Sequence, residues 1–276
     1  MSAAVRLVVL DVEGVITRAG GSHEPWPLEE IVALRDLIAG TPLAVVLCTG
    51  RQVPYGEAIV QALGLLRPLP ASIRQRVAAR GLGFAGWPSV LENGAYLYDA
   101  FGRCAIALPS AHPGALEDLP RLRRDLLAPL VEETGATFEP GKDVCISINP
   151  PPVRPGAIER VPTDEFRPVV DERLRGHDSL IEVSHSKSAI DITPKGISKA
   201  SGVGQLLDCL GLGPDEVLGV GDTRADAAWL SMLRWQATPS NGREALPHVA
   251  YHAPHPDVGG LIDILKRLVL RGYEGV

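Results

Sequence analysis

Long apolar runs are missing from this 276-residue chain. None approaches the roughly 20 residues needed to cross a bilayer as a helix, which excludes a helical membrane protein. The first apolar stretch is interrupted by Arg6 and closed by Asp11, so it does not read as a signal peptide. Excess positive charge is missing as well. The 27 Lys and Arg against 33 Asp and Glu leave a net charge of -6, which argues against nucleic acid as the main partner, because backbone binding draws on concentrated Lys and Arg. A small phosphorylated ligand stays open. Cysteine is scarce, and Cys48, Cys104, Cys145 and Cys209 form no C-x-x-C pair. They read as reduced thiols of a cytoplasmic protein. A disordered bias and a fibrous repeat are absent too, and 45% hydrophobic with 22% charged residues describes an ordinary globular protein. The length allows one large domain or two moderate ones.

What the chain does contain is a set of short apolar runs, each opening into a polar turn. Residues 5–10 are too continuously apolar for a half-exposed strand and suit a parallel strand covered on both faces. They deliver Asp11, Glu13 and Gly14. Residues 43–47 end in Cys48-Thr49-Gly50-Arg51, 90–91 in Glu92-Asn93-Gly94-Ala95, and 217–220 in Gly221-Asp222-Thr223-Arg224-Ala225-Asp226. Helical spacing fills the intervals at 27–38, 55–66, 73–80, 198–210 and 258–271, and the glycine-containing stretch 99–103 reads as a hairpin loop. The segment 67–90 has no strong periodicity. Ligands in open α/β sheets bind beyond the carboxyl ends of the strands, which is where these polar turns lie.

From 109 to 194 the pattern changes to helix (114–134), strands (136–139, 143–149), helix (162–175) and strands (179–185, 188–193). This is a repeated αββ unit, a small α+β domain inserted into an α/β core. The expected division is 1–108 and 195–276 for the core and 109–194 for the insert. Alternation over 143–149 puts Val144, Ile146 and Ile148 on one side and Asp143, Cys145, Ser147 and Asn149 on the other. Asp191 joins the polar side from the last strand, and such a face can roof a binding site.

If the turns are neighbours, Asp11, Glu13, Asp222 and Asp226 bring together carboxylates without an equal number of cations. That is costly unless a cation sits among them. Oxygen ligands select a hard ion, and Mg²⁺ held by carboxylates and a substrate phosphate is the common case. Thr49, Gly50 and Lys199 supply a hydroxyl, an amide and positive charge for an anion.

The order of these turns resembles the haloacid dehalogenase superfamily of phosphohydrolases over nearly the whole chain. D-x-[DE]-G at 11–14, T-G-R at 49–51, Lys199 and G-D-x-x-x-D at 221–226 look like its four motifs. E-N-G-A at 92–95 with the αββ repeat looks like the type IIB cap subfamily, similar to Cof-type, sucrose-phosphate and mannosyl-3-phosphoglycerate phosphatases and to phosphomannomutases. The resemblance implies a doubly wound, Rossmann-like α/β core with an inserted α+β cap. It also implies Asp11 as nucleophile, Glu13 as general acid and base, and Thr49, Gly50 and Lys199 as phosphoryl ligands. Asp11, the Glu13 main-chain carbonyl and Asp222 would hold Mg²⁺, with Asp226 nearby through water. Arg51, Asn93, Lys142, Asn149 and Lys187 are the candidates for substrate contact.

Two positions depart from that pattern. Glu13 stands where most relatives have Asp, and enolase-phosphatases, with D-x-E-G-T, resemble it here. Ala225 stands where cap-IIB relatives usually have Asn, which predicts weaker loop support for Asp226. The expected activity is Mg²⁺-dependent hydrolysis of a small, sugar-like phosphate through an aspartyl-phosphate. A phosphomutase of the same fold, or a phosphosugar-binding protein impaired at Glu13 and Ala225, are the alternatives. The sequence sets no oligomeric state.

Other signals carry less. Gly81 to Gly86 matches G-x-G-x-x-G but follows a helix rather than a strand, so dinucleotide binding is not expected there. His248, His252 and His255 read as surface histidines, and Arg121, Arg123 and Arg124 as the solvated face of a helix. Lys142 and Lys187 read as turn charges or as substrate contacts, and Asn93 as a turn residue or a substrate neighbour.

Overall fold

The computed structural model describes residues 5–18, 24–107, 114–186 and 188–271. At its centre is β1 (Leu7–Leu10), fully buried. Two-residue alternation sends Leu7 and Val9 into one hydrophobic cluster and Val8 and Leu10 into another. A strand that is apolar on both faces needs helices on both sides. α1 (Leu28–Ala39) covers one side with Ile31, Leu34 and Ile38. β2 (Ala44–Leu47) follows, then α2 (Val53–Ala62) on the α1 side and α3 (Ala71–Ala79) on the opposite one.

β3 (Ser89–Leu91), β4 (Tyr96–Asp99) and β5 (Cys104–Ala107) form an antiparallel ladder joined to the parallel sheet by a bridge between Cys48 and Val90. The hairpin expected around 99–103 is β4–β5. Its closing residue, Asp99, also orders part of the aperiodic segment before it. Its buried carboxylate accepts the amides of Ala85 (2.7 Å), Gly86 (2.8 Å), Phe101 and Gly102 (both 3.0 Å).

The insert begins with α4 (Ala115–Leu122), which passes through a π-helical turn at Arg123–Leu127 into α5 (Ala128–Thr134). β6 (Thr137–Phe138), β7 (Ile146–Asn149), α6 (Thr163–Arg173), β8 (Ile181–His185) and β9 (Ile190–Pro194) complete it. The sheet is antiparallel in the order β6-β7-β9-β8 and packs Ile148, Ile190 and Ile192 against Leu127, Phe166 and Val170 in a core of its own. One expectation needs correction. β7 does not run from 143 to 149 with a single polar side: it starts at Ile146, and Val144 and Cys145 pack with the cluster of the main domain. The 143–145 amides are therefore free of the ladder and bond elsewhere.

The chain re-enters the core at α7 (Lys199–Leu210), whose start is capped by Ser198, with reciprocal bonds to Ser201 of 3.1 and 2.8 Å. β10 (Val217–Val220), α8 (Ala227–Leu230), β11 (Trp235–Thr238), β12 (Tyr251–His252) and α9 (Asp257–Arg271) follow. The five parallel strands lie in the order β12-β11-β10-β1-β2. β1 sits between β10 and β2 in matched register, so Leu10 lies beside Val220 and Leu47 and all three strands end at one level. No helix among the described residues is long and apolar enough to cross a membrane.

Candidate active site

Matched register brings the three C-terminal turns together. Asp11 follows β1, Thr49 follows β2 and Asp222 follows β10, and Asp11, Asp222 and Asp226 offer carboxylate oxygens within 4.8 Å of one another. Lys199, at the start of α7, reaches Asp11 Oδ2 at 2.9 Å and Asp226 Oδ1 at 2.8 Å. Burial disfavours the Lys199 ammonium, but Asp11 and Asp226 outweigh it and hold its pKa well above the ordinary value. Burial, then the Asp226 charge, pushes the Asp11 carboxyl well above the usual carboxylate range despite Lys199. Asp222 is raised to about 7, again by burial first and Asp226 second.

Asp226 behaves differently because its donors are built in. Oδ1 accepts from Lys199 and from Trp229 Nε1 (3.0 Å), and Oδ2 from the Asp222 amide (3.2 Å) and the Thr223 amide and hydroxyl (3.0 and 2.8 Å). Against the opposing effect of burial, these donors hold its pKa at about 2. The weak support anticipated from Ala225 is therefore corrected: Thr223 and Trp229 brace this loop. Asp222 is held on one side only. Its Oδ2 accepts from Asn241 Nδ2 at 3.0 Å, while Oδ1 is buried without a hydrogen-bond partner. A buried, unpartnered carboxylate oxygen beside a second carboxylate with a raised pKa suits a hard divalent cation.

Gly14 permits this packing. Its φ of +73° favours glycine, and a methyl group there would collide with Asp222 Oδ2. Thr49 is fully buried, and its hydroxyl accepts the Arg51 amide at 3.2 Å and lies 3.5 Å from Glu13 Oε2. Glu13 is ion-paired through Oε1 to Arg51 Nε. Asn93 approaches Gly50 so closely that a Cβ there would stand 2.7 Å from Asn93 Oδ1.

A family model described as haloacid dehalogenase-like hydrolase matches residues 165–263. Over 270 residues the chain is 23% identical to a phosphoglycolate phosphatase of Aeropyrum pernix, covering 98% of this chain and 95% of that protein. Over 268 residues it is 27% identical to a phosphoglycolate phosphatase of Methanopyrus kandleri, covering 95% and 97%. The solved structure of a sugar phosphatase of subclass IIB shares the fold, with a TM-score of 0.61 at 14% identity over 97% of this chain and 99% of that one. Together these matches support a haloacid dehalogenase-like phosphatase.

The insert reaches the site through Arg51. The guanidinium bonds Glu13 on one side and Glu139 Oε1 at 3.0 Å on the other, and lies over the Tyr55 ring at 5.1 Å. Burial notwithstanding, the two carboxylates keep Arg51 firmly charged. Lys142 is not a solvated turn charge. Its buried ammonium engages Ser147, Asp191 Oδ1 at 3.2 Å and Glu139 Oε2 at 3.5 Å. Asn149 ends β7 on the same face as Ser147, and Lys187 lies outside the described residues.

Sequence reasoning missed several residues. Asn241 joins Gly14 O and Asp222 Oδ2, both at 3.0 Å, and its N-G dipeptide after β11 was an available signal, being another turn at a parallel strand end. Glu139 and the side chain of Glu92 carried none, since each acts through partners distant in the chain, whereas Trp229 acts on Asp226 only three positions before it. Gly81 to Gly86 follow α3 without the strand-turn-helix that dinucleotides need. His248 is exposed, and His255 pairs with Asp263 at 2.6 Å.

Proposed function

We propose that this phosphatase is an Mg²⁺-dependent phosphomonoesterase of a small, sugar-like phosphate, with Asp11 as nucleophile. The observation that carries the reading is the pairing of Asp11 with Lys199 at 2.9 Å beside the unpartnered Oδ1 of Asp222. Asp11, Asp222 and the Glu13 main-chain carbonyl would hold Mg²⁺, which when bound neutralises the approaching phosphate. Asp226 then serves as a positioning residue, locking Lys199 and the Asp222 amide. An Asp11 oxygen attacks phosphorus, the bond to the leaving oxygen breaks, and Glu13 donates the proton that oxygen takes up. Water then attacks the aspartyl-phosphate, returning its proton to Glu13 and freeing Asp11 and phosphate. Thr49, Gly50 and Lys199 hold the phosphoryl oxygens.

The insert, residues 109–194, acts in this reading as the cap. The charges where it meets the core favour a neutral polyol, because Arg51 and Lys142 are already paired with Glu13, Glu139 and Asp191. A leaving group with its own carboxylate would have to break one of these pairs. The bracing of Asp226 also removes one of two grounds for an impaired binding protein. The test is phosphate release from sugar phosphates, phosphoglycolate and an aryl phosphate, with Mg²⁺ or EDTA, in wild type and Asp11→Asn. Metal-dependent release abolished by the substitution is expected, with sugar phosphates ahead of phosphoglycolate. Release that survives in Asp11→Asn overturns the assignment.

A further inference from the structure

Glu92 joins the two domains in a way the proposed chemistry does not use. Its side chain is fully buried, and it accepts the Asp143 amide at Oε1 and the Val144 and Cys145 amides at Oε2, each at 2.9 Å. Its main-chain oxygen accepts the Cys145 thiol at 3.1 Å. These are the amides that β7 leaves out of its ladder. The Glu92 amide is bonded to Arg51 O at 3.0 Å, and the Asn93 amide to Thr49 O at 3.1 Å. One residue thus binds the phosphate-holding turn with its backbone and the insert with its carboxylate.

The conformation is expensive. Glu92 and Asn93 both have left-handed φ, 48° and 54°, although neither is glycine, and such residues cost on the order of 1–3 kcal/mol each unless their surroundings hold them. A carboxylate buried on main-chain amides must also offset its desolvation with charge-assisted bonds. Immediately before the clamped amides, the insert carries Glu139, bonded to Arg51, and Lys142, bonded to Glu139. The stretch 139–145 is therefore tied to the core twice, by Arg51 beside the reacting groups and by Glu92 at its base.

We propose that Glu92 is a positioning residue that sets the distance between the phosphate-binding turn and the cap stretch 139–142, so that it governs recognition of the leaving group. This rests on the phosphatase reading above. The test compares Glu92→Gln and Glu92→Ala with Asp99→Asn, since Asp99 is another buried carboxylate that gathers main-chain amides but lies away from the cap. Two quantities are read: hydrogen exchange of the 143–145 amides, and kcat and KM for a sugar phosphate and an aryl phosphate.

In Glu92→Gln an NH2 group must face a main-chain N–H, losing at least one charge-assisted bond. Exchange at 143–145 should accelerate and KM for the sugar phosphate should rise about tenfold, the equivalent of one such bond, with KM for the aryl phosphate within about twofold. Glu92→Ala should go further in the same direction, and Asp99→Asn should lose stability without separating the substrates. An equal KM rise on both substrates, the same separation in Asp99→Asn, or unchanged exchange at 143–145 overturns the proposal. Absence of phosphate release by the wild type would instead bring down the catalytic reading, and the exchange comparison would still decide whether Glu92 holds the cap.

Discussion

Replacing Asp222 with Asn should stabilise the metal-free protein. Asp222 is raised from 3.8 to about 7 by burial and by Asp226. The native state therefore binds its proton more tightly than the unfolded state does. The resulting penalty is absent below the unfolded pKa, grows as pH rises towards about 7 and is complete above it. About three pH units correspond to a ceiling of roughly 4 kcal/mol, and relaxation around the charge leaves about 2 kcal/mol as the working figure. For a protein of this size that is a rise in Tm of roughly 4–8 °C. The assay is thermal unfolding of wild type and Asp222→Asn in EDTA at pH 8 and pH 5. The variant should be the more stable at pH 8, and the gap should be smaller at pH 5, where part of the linkage penalty is gone. Saturating Mg²⁺ should reverse the order, since ligand at about a hundred times its Kd adds roughly 2.7 kcal/mol to the form that binds it. If the variant proves no more stable than the wild type in EDTA at pH 8, or if the gap is the same at both pH values, the account of this carboxylate cluster is wrong.

Further tests address the remaining parts of the site. Glu13→Gln should lower kcat for sugar phosphates by roughly 10²–10⁴-fold and for an aryl phosphate far less, because a good leaving group needs little protonation; steady-state kinetics on the two substrates distinguish these outcomes. Gly14→Ala should weaken Mg²⁺ binding, measured by titration calorimetry, because the methyl group displaces Asp222. Trp229→Phe removes the 3.0 Å bond to Asp226 Oδ1 and should cost about 1–3 kcal/mol in chemical denaturation.

The α/β class, the order of the elements and the polar turns were legible in the sequence because each is local. A run of β-branched residues buried on both faces, or a helix with a serine cap, leaves its mark within a few positions. The motif residues were visible for the same reason, since Asp11, Thr49, Lys199 and Asp222 each sit at the end of an apolar run or the start of a helix. What the sequence by itself determined was this inventory of strands, turns and charged groups. The tertiary structure decided which of them meet. Asn241 reaches Gly14 and Asp222, Arg51 links Glu13 to Glu139, and Glu92 clamps the 143–145 amides. The shortening of β7 has the same origin, since the alternation at 143–145 is overridden by a carboxylate supplied from the other domain. Periodicity records the face a residue presents to its own element. Hydrogen bonds between distant elements depend on register and packing, which the local pattern does not encode.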